Sequence, residues 1–542
     1  MVRTLMVYPE YRDPTFWSFK EALRIIGKKA NMPPYGLATI AAMLPRHYDV
    51  TLIDENVATL RDEDIKNADV VMSSAMIVQR SSLRELIDKC RHYGKPIIVG
   101  GPLVSTGFEE VPGATSYFIG EAEQGLPRLV LDLEKGQLKK AYGHVANGVT
   151  TAEEKAARIR DHFGNDISLI VGERPTLERT LVPRFDLFDV KQYAAMAVQY
   201  SRGCPVKCEF CDIWTQGGVK PRLKETDRFL AELDAIHATG FEGGVFFVDD
   251  NFYGNKNRVT GELLPAVTRW QQDRGYPYRL FTEATITIGD DPKFLKAMHG
   301  AGFDMVFCGI ETPSESALLE TNKKLNTDHK NHNTMELLVQ RVENIQRAGI
   351  EVSSGFILGF DNEEPDIDDR MIYFIERAKI AMAMLGLLTA LPETKLYERL
   401  RSEGRLKKAS EGNNTHALDV NFVPKNTTED ELVRKYNRVL NALYDPALRN
   451  YFARVDRMMD TMGKPMHGGR RVTFEGIKHL LSALYHVGPT RHGPEFIKFL
   501  AKRLWKDSST FAEAVTYGVK GHHLAHITNG TRQVHAVSTY ID

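Results

Sequence analysis

With 542 residues, 42% of them hydrophobic and 26% charged, the chain has the make-up of an ordinary soluble protein of about three domains. A formal net charge of −1 excludes a uniformly basic nucleic-acid binder, although residues 451–542 alone carry 13 Lys and Arg against 7 Asp and Glu. Five cysteines argue against a disulfide framework and for a reducing, cytoplasmic setting, and neither a signal-peptide pattern nor an apolar run of membrane-spanning length is present.

From residue 1 to about 135, short apolar runs alternate with helical patterns. Leu5–Tyr8, Val50–Ile53, Val70–Met72, Ile97–Val99 and Tyr117–Ile119 are predicted strands, and Gly36–Leu44 and Ser82–Tyr93 predicted helices. The rhythm predicts a doubly wound parallel sheet with helices on both faces and ligands beyond the carboxyl ends of its strands. The polar and glycine-rich breaks fall there: Asp54-Glu55-Asn56, Ser73-Ser74-Ala75, Gly100-Gly101-Pro102 and Gly120-Glu121. No G-x-G-x-x-G follows the first strand, which disfavours a dinucleotide. Each break alone is explained by turn chemistry. Together with Met32-Pro33-Pro34-Tyr35-Gly36-Leu37 they resemble a cobalamin-binding domain, which implies cobalamin contacts from Pro34, Ser73, Gly100, Gly101 and Glu121. The Asp-x-His-x-x-Gly motif of other cobalamin proteins is absent, with Asp54-Glu55-Asn56 nearest to it. The resemblance therefore implies cobalamin without a protein histidine on cobalt, or a domain that binds none.

Residues 136–190 are polar, with one helix predicted around Glu153–Arg160, and are punctuated by Pro175 and Pro183; they read as an interdomain linker. From 191 to 404 six strands recur, at Met196–Tyr200, Val245–Val248, Leu280–Thr285, Met305–Phe307, Val352–Leu358 and Leu385–Thr389. This pattern suits a partial (β/α)6 barrel of the TIM type, with its chemistry at the strand ends. Directly after the first strand comes Cys204-Pro205-Val206-Lys207-Cys208-Glu209-Phe210-Cys211. Thiolates suit iron–sulfur clusters or zinc, and no fourth cysteine is near. Three thiolates on a [4Fe–4S] cluster leave one iron open; the alternative is a zinc knuckle borrowing a distant ligand.

The cysteine spacing, with aromatic Phe210 before the last cysteine, resembles the radical S-adenosylmethionine (SAM) signature. The stretches Val248–Asn255, Gly309–Pro313, Gly355–Gly359 and Leu388–Pro392 resemble one cobalamin-dependent subgroup, which contains the hopanoid 2-methylase and the bacteriochlorophyll side-chain methylases. The resemblance implies a [4Fe–4S] cluster on Cys204, Cys208 and Cys211. It implies SAM held by Asp249 or Asp250, with Asn251 and Phe210 beside it, and Glu283 and Glu311 facing ribose or substrate. It further implies SAM cleavage, hydrogen abstraction from an unactivated carbon and methyl delivery from cobalamin. The expected partners are a small hydrophobic substrate and an electron donor of the reductase, ferredoxin or flavodoxin kind. A radical reaction without methyl transfer and a non-catalytic cobalamin or redox sensor stand as alternatives. Any one strand-end acid could equally cap the next helix. Cys90 and Cys308 read as packing residues.

Beyond 405 the pattern is helical, clearest at Glu429–Tyr444, with breaks at Gly468-Gly469, Gly488-Pro489 and Gly493-Pro494. His522, His523 and His526 lack an acid partner and make a poor metal motif. In Glu495–Lys506, Phe496, Ile497, Phe499, Leu500 and Leu504 form one arc opposite Lys498, Lys502 and Lys506. The arc predicts docking on an anionic membrane, against the alternative of an ordinary packed helix.

Overall fold

Strands β1 (Val2–Tyr8), β2 (Tyr48–Asp54), β3 (Val70–Ser74), β4 (Ile97–Gly100), β5 (Ser116–Ile119), β6 (Ala141–Val145) and β7 (Ile167–Val171) form one parallel sheet, in the order 2-1-3-4-5-6-7. They belong to a computed structural model that describes residues 1–13, 15–328, 330–410, 412–413, 420–462 and 474–538. Alternation along each strand supplies both faces. Leu5, Val7, Val71, Ile97 and Val99 pack under Leu83, Leu86 and Ile87. Met6, Val70, Met72, Ile98 and Phe118 pack under Leu37, Ala41, Leu126 and Leu129. A strand buried on both sides reads as a continuous apolar run, which is why these strands are legible. The order reverses between β1 and β3, and such a switch point is where an open α/β sheet takes its ligand.

The segment expected as a linker, 136–190, is corrected by this sheet: β6 and β7 are its last two strands. The helix between them, Ala152–Phe163, starts on a reciprocal cap between Thr151 and Glu154. Only the stretch after Val171 connects, and its Arg174 donates to the Thr215 and Gln216 carbonyls of the next domain.

The second sheet comprises β8 (Ala195–Val198), β11 (Gly244–Phe247), β12 (Arg279–Ala284), β13 (Phe303–Glu311), β14 (Glu351–Leu358) and β15 (Ala383–Leu387). A ribbon of β9 (Ser201–Arg202) and β10 (Arg222–Leu223) interrupts the series. The six strands run parallel in sequential order, as in a (β/α)6 barrel. Val245, Phe247, Leu280, Val306, Cys308 and Leu358 point outward into the helical layer and are fully buried. Their neighbours in sequence face inward, where the Phe246 and Phe281 rings stack 4.9 Å apart.

The C-terminal region is helical, as expected; the break at Gly468-Gly469 lies outside the described residues. The last helix, Phe511–Ser538, holds Glu351 at the foot of β14 through Tyr517 and Lys520, and His523 Nε2 donates to the Phe16 carbonyl (3.1 Å). His522 pairs with His492 at 3.0 Å, and burial pushes both imidazoles down, so they are neutral packing groups. The arc expected to meet a membrane is split: Phe496, Phe499 and Leu500 are buried, two of them on Phe452, whereas Ile497 and Leu504 stay half exposed, and Lys502 and Lys506 pair with Asp456 and Asp460. Among the described residues no helix is long and apolar enough to cross a membrane.

The two sheet domains meet across polar side chains that are themselves buried. Lys224 and Glu232 form an ion pair, each 2% exposed, and Tyr35 of the first domain hydrogen-bonds both (2.8 and 3.0 Å). Removing one charge strands the other away from water. Lys224→Met should therefore lower stability by about 3–5 kcal/mol in urea unfolding, and adding Glu232→Leu should recover most of it. A loss under about 1 kcal/mol for the single variant would show that water reaches the pair.

Candidate functional site

The chain leaves β8 and enters the β9–β10 ribbon, which brackets the loop of Cys204, Cys208 and Cys211. Gly203 opens the loop at φ +107°, where a Cβ would lie 2.8 Å from the Gly218 carbonyl oxygen, so glycine is required. Cys204 N–H donates to that carbonyl (3.0 Å), and Trp214 Nε1 donates to the Cys208 carbonyl (2.9 Å). Later parts of the barrel also grip the loop. Glu209 N–H reaches the Thr321 carbonyl, Leu396 N–H the Glu209 carbonyl and Asn322 Nδ2 the Lys207 carbonyl, each at 3.0 Å.

The end of β11 sets the loop's position. Asp249, 1% exposed, accepts from Tyr200 N–H (2.8 Å) and Ser201 Oγ (2.6 Å), one bond to each oxygen. Asp250 accepts from Gly203 N–H (2.6 Å) through one oxygen, and the other makes no hydrogen bond to the described residues. Strand alternation separates the two: Asp249 follows Phe247 outward, and Asp250 follows Phe246 inward. Burial pushes the Asp249 carboxyl up to about 7. Asn251 places its amide 3.8 Å from Cys204 Sγ and accepts from Thr285 N–H.

Glu283, next to last in β12, lies on the same inner face. It opens onto the interior space but is ringed by protein, and burial, with Asp250 and Glu311 nearby, pushes it up to about 7. Glu311 ends β13 after a register shift and sits at φ +70°, a strained setting for a non-glycine residue. It pairs with buried Lys323. A side chain at Gly309 would meet Glu311 Oε1 at 2.4 Å and Lys323 Nζ at 2.8 Å, so that glycine makes room for the pair. Lys323 Nζ also lies 5.8 Å from the centre of the Phe210 ring. Burial works against its charge, but Glu311 and the cysteine sulfurs outweigh this and raise its pKa.

All three thiols are free, and burial raises the pKa of each, Cys211 most strongly. Thiolates here need cationic charge beside them, which iron and Lys323 would supply together. Among the described residues no three His, Cys, Asp or Glu converge as ligands of a single metal ion do. The thiolates of a cubane, each on its own iron, have no need to. The loop thus fits a [4Fe–4S] cluster with one open iron.

The residues expected at cobalamin line the carboxyl edge of the first sheet. Gly101 has φ +87°, and a Cβ there would sit 2.3 Å from Ser74 Oγ and 3.0 Å from Ala75 N, so glycine lets the turn after β4 pack against the turn after β3. Ser73 Oγ donates to the Val7 carbonyl, and Pro34 is buried before the helix Tyr35–Met43. Asp54 is engaged by Asn56 and Tyr193. Glu121 is spent across the interface on Arg202 (2.9 Å) and Arg222 (2.7 Å), which flank the cysteine loop. No histidine stands in the turns after β1, β3, β4 or β5. The residues of this edge would hold cobalamin.

Four residues of the site had no signal in the sequence: Arg202, Arg222, Trp214 and Lys323. Arg202 and Arg222 matter through contacts distant in the chain, as Arg222 does with Glu121, 101 residues away, whereas Trp214 acts locally, on the Cys208 carbonyl six residues before it. A groove of about 570 Å³ lies outside the barrel between helices Thr226–Ala238 and Leu264–Asp273, and no strand end opens into it.

The fold and the loop together define a radical SAM enzyme carrying a cobalamin domain. Family models agree: residues 198–373 match the radical SAM superfamily, 26–130 the B12 binding domain, and 394–536 a domain of unknown function, DUF4070. An uncharacterized methyltransferase of Synechocystis, sll1242, is 38% identical over 466 residues, 86% of this chain and 80% of its own. The hopanoid C-2 methylase of Rhodopseudomonas palustris is 34% identical, over 74% of this chain and 71% of its own. The structure of the radical SAM methyltransferase TsrM from Kitasatospora setae shares the fold at a TM-score of 0.57 and 14% identity, covering 90% of this chain and 96% of that one. The chain belongs to the cobalamin-dependent radical SAM methyltransferases. Its cofactors are a [4Fe–4S] cluster, SAM and cobalamin.

The two aspartates should separate on substitution. Asp250→Asn should keep the cluster absorbance and weaken SAM binding at least tenfold, whereas Asp249→Asn should lower the iron bound per chain. Asp249 also sets a pH dependence in the apoprotein. Its folded pKa lies above the unfolded one, so its contribution is complete below about pH 4 and is lost as the pH rises towards 7. Asp249→Asn should flatten that part of the stability profile. A profile identical to wild type would mean that Asp249 ionises freely.

Proposed function

We propose that this enzyme methylates an unactivated carbon of a hydrophobic, fused-ring substrate of the lipid or pigment kind, bound against the inner face of the barrel. The observation that carries the reading is the make-up of that face. Phe246, Phe281, Met305, Phe307, Ile357 and Met384 lie at inward positions of five successive strands. Above them stand Asp250, Glu283 and the Glu311–Lys323 pair. A flat apolar molecule would lie on the aromatic wall with its reacting carbon towards the cysteine loop. The Rhodopseudomonas relative, a hopanoid C-2 methylase, supports a substrate of this shape.

The bound groups supply one-electron cleavage of SAM and a transferable methyl group. The chain's own residues hold and orient. Cys204, Cys208 and Cys211 hold the cluster. Asp250, through its uncommitted oxygen, would receive the SAM amino group, and Lys323, 5.8 Å from the ring of Phe210, would supply positive charge for its carboxylate. Glu283, poised near neutrality, meets a ribose or substrate hydroxyl. Gly100 and Gly101, the second of which lets the turns after β3 and β4 pack together, would shape the edge that takes the corrin. Arg202, between Glu121 of one domain and Gln199 of the other (2.8 Å to its Oε1), sets the distance between the two cofactor sites. The electron comes from a small carrier protein of the ferredoxin or flavodoxin kind.

The test is to incubate reconstituted enzyme with SAM, reductant and extracts of hopanoid-like lipids or chlorin pigments. The expected products are 5′-deoxyadenosine and a species heavier by one methyl. Cys204→Ala, Cys208→Ala and Cys211→Ala should each abolish both. Deoxyadenosine without any methylated product would overturn the methyl-transfer reading in favour of another radical reaction, and absence of deoxyadenosine from the wild type would overturn catalysis altogether.

A further inference from the structure

The cluster loop is closed on two sides. Arg202, Glu121 and Arg222 seal it against the first domain, and Asp249, Asp250 and Asn251 border it towards the barrel. On the third side it reaches solvent, and there the surface has a consistent character. Lys207, in the loop itself, is exposed. Lys220 follows Gly218, whose carbonyl takes Cys204 N–H. Lys324 lies two residues beyond Asn322, which holds the Lys207 carbonyl. Lys395 precedes Leu396, which holds the Glu209 carbonyl, and its ammonium stands 5.5 Å from the ring of Trp214. All four are exposed, and none has an acidic partner among the described residues.

The acids nearby are already engaged. Glu209 is held by Arg399, Glu320 by Arg399 and Glu393 by Lys155 and Arg158, while Asp212 takes Gln216. Glu173 and Glu178, on the flanking connector, alternate with Arg174 and Arg179 and leave its charge balanced. Next to these lysines in the chain, or to the Trp214 that Lys395 stands over, are apolar side chains left in water: Val219 at 41%, Leu325 at 54% and Ile213 at 37% exposed. An apolar centre with a rim of one charge is the make-up of a transient protein interface, and the rim selects a partner of opposite charge.

We propose that this face, centred on Lys207 and Ile213, is where a small acidic one-electron carrier protein docks to reduce the cluster. The inference rests on the reading of the cysteine loop as a cluster site and adds the place and polarity of electron entry. One electron leaves the reduced carrier and enters the cluster; no bond or proton moves. The lysines steer the encounter over about a Debye length, roughly 8 Å at physiological salt, so the reaction should slow as salt rises.

The probe is reduced flavodoxin, mixed anaerobically with the holoenzyme while the cluster absorbance is followed. The test variant replaces Lys207, Lys220, Lys324 and Lys395 with Glu. The control replaces Lys135, Lys140, Lys293 and Lys296, exposed lysines elsewhere, and so changes the net charge equally. The test variant should be reduced at least tenfold more slowly by flavodoxin, bind it more weakly in a direct titration and lose the salt dependence, with iron content intact and dithionite reduction within twofold of wild type. Equal slowing in test and control variants, or an unchanged flavodoxin rate in the test variant, would overturn the docking face. Methyl transfer driven by dithionite is measured alongside: its failure in wild type, with flavodoxin reduction intact, would count against the proposed reaction and not against this surface.

Discussion

Two carboxylates on one strand end hold the site together. The backbone N–H groups of Tyr200 and Gly203 are taken by Asp249 and Asp250 at 2.8 and 2.6 Å, and this fixes where the cysteine loop leaves β8. A loop of glycine, proline and cysteine has little side-chain packing of its own, so its shape must come from hydrogen bonds to its main chain. Those bonds arrive from β11, from the turn at Thr321–Asn322 and from Leu396, three places far apart in sequence. The loop is therefore not formed until most of the barrel is. That dependence explains why a site with few bonds of its own can still hold three thiols in one arrangement.

The interface between the sheets follows a related logic. Buried ion pairs contribute little net stability against an apolar alternative, but they admit few geometries. Lys224–Glu232–Tyr35, Asp54–Tyr193 and Glu121–Arg202–Arg222 each tie the first domain to the barrel by directional contacts. An apolar interface of the same area would tolerate sliding. With one cofactor beyond the first sheet and another on the barrel, sliding would change the distance between them, and a directional interface is the one that resists it.

Much of the architecture was legible because burial on both faces leaves a plain mark in sequence. Val70–Met72, Ile97–Val99 and Val245–Val248 are short apolar runs bounded by polar or glycine-rich breaks, as buried strands are. β6 escaped because Ala141-Tyr142-Gly143-His144-Val145 breaks its apolar run with Gly and His, and β7 because an edge strand needs only one covered face. The cysteine spacing was readable because all its ligands lie within eight residues. Lys323 was not, since nothing in Thr321-Asn322-Lys323-Lys324 tells which lysine turns inward; the turn at Asn322, with φ +59°, decides that. The helix Gly493–Lys506 is the opposite case: an amphipathic pattern does not tell what covers a face, and here Phe452 covers Phe496 and Phe499 while Ile497 and Leu504 stay half exposed.

The contact of His523 with the Phe16 carbonyl spans 507 residues. On a ribosome adding about 5–20 residues per second, the segment around Phe16 waits roughly 25–100 seconds for the helix that completes its packing. Through that interval Phe16, Leu23 and Ile25, all buried in the finished protein, lack their final cover. The nascent chain thus presents a sticky patch near its start long after the first sheet has every strand it needs. Closure of this contact is therefore among the last steps by which the chain completes its packing.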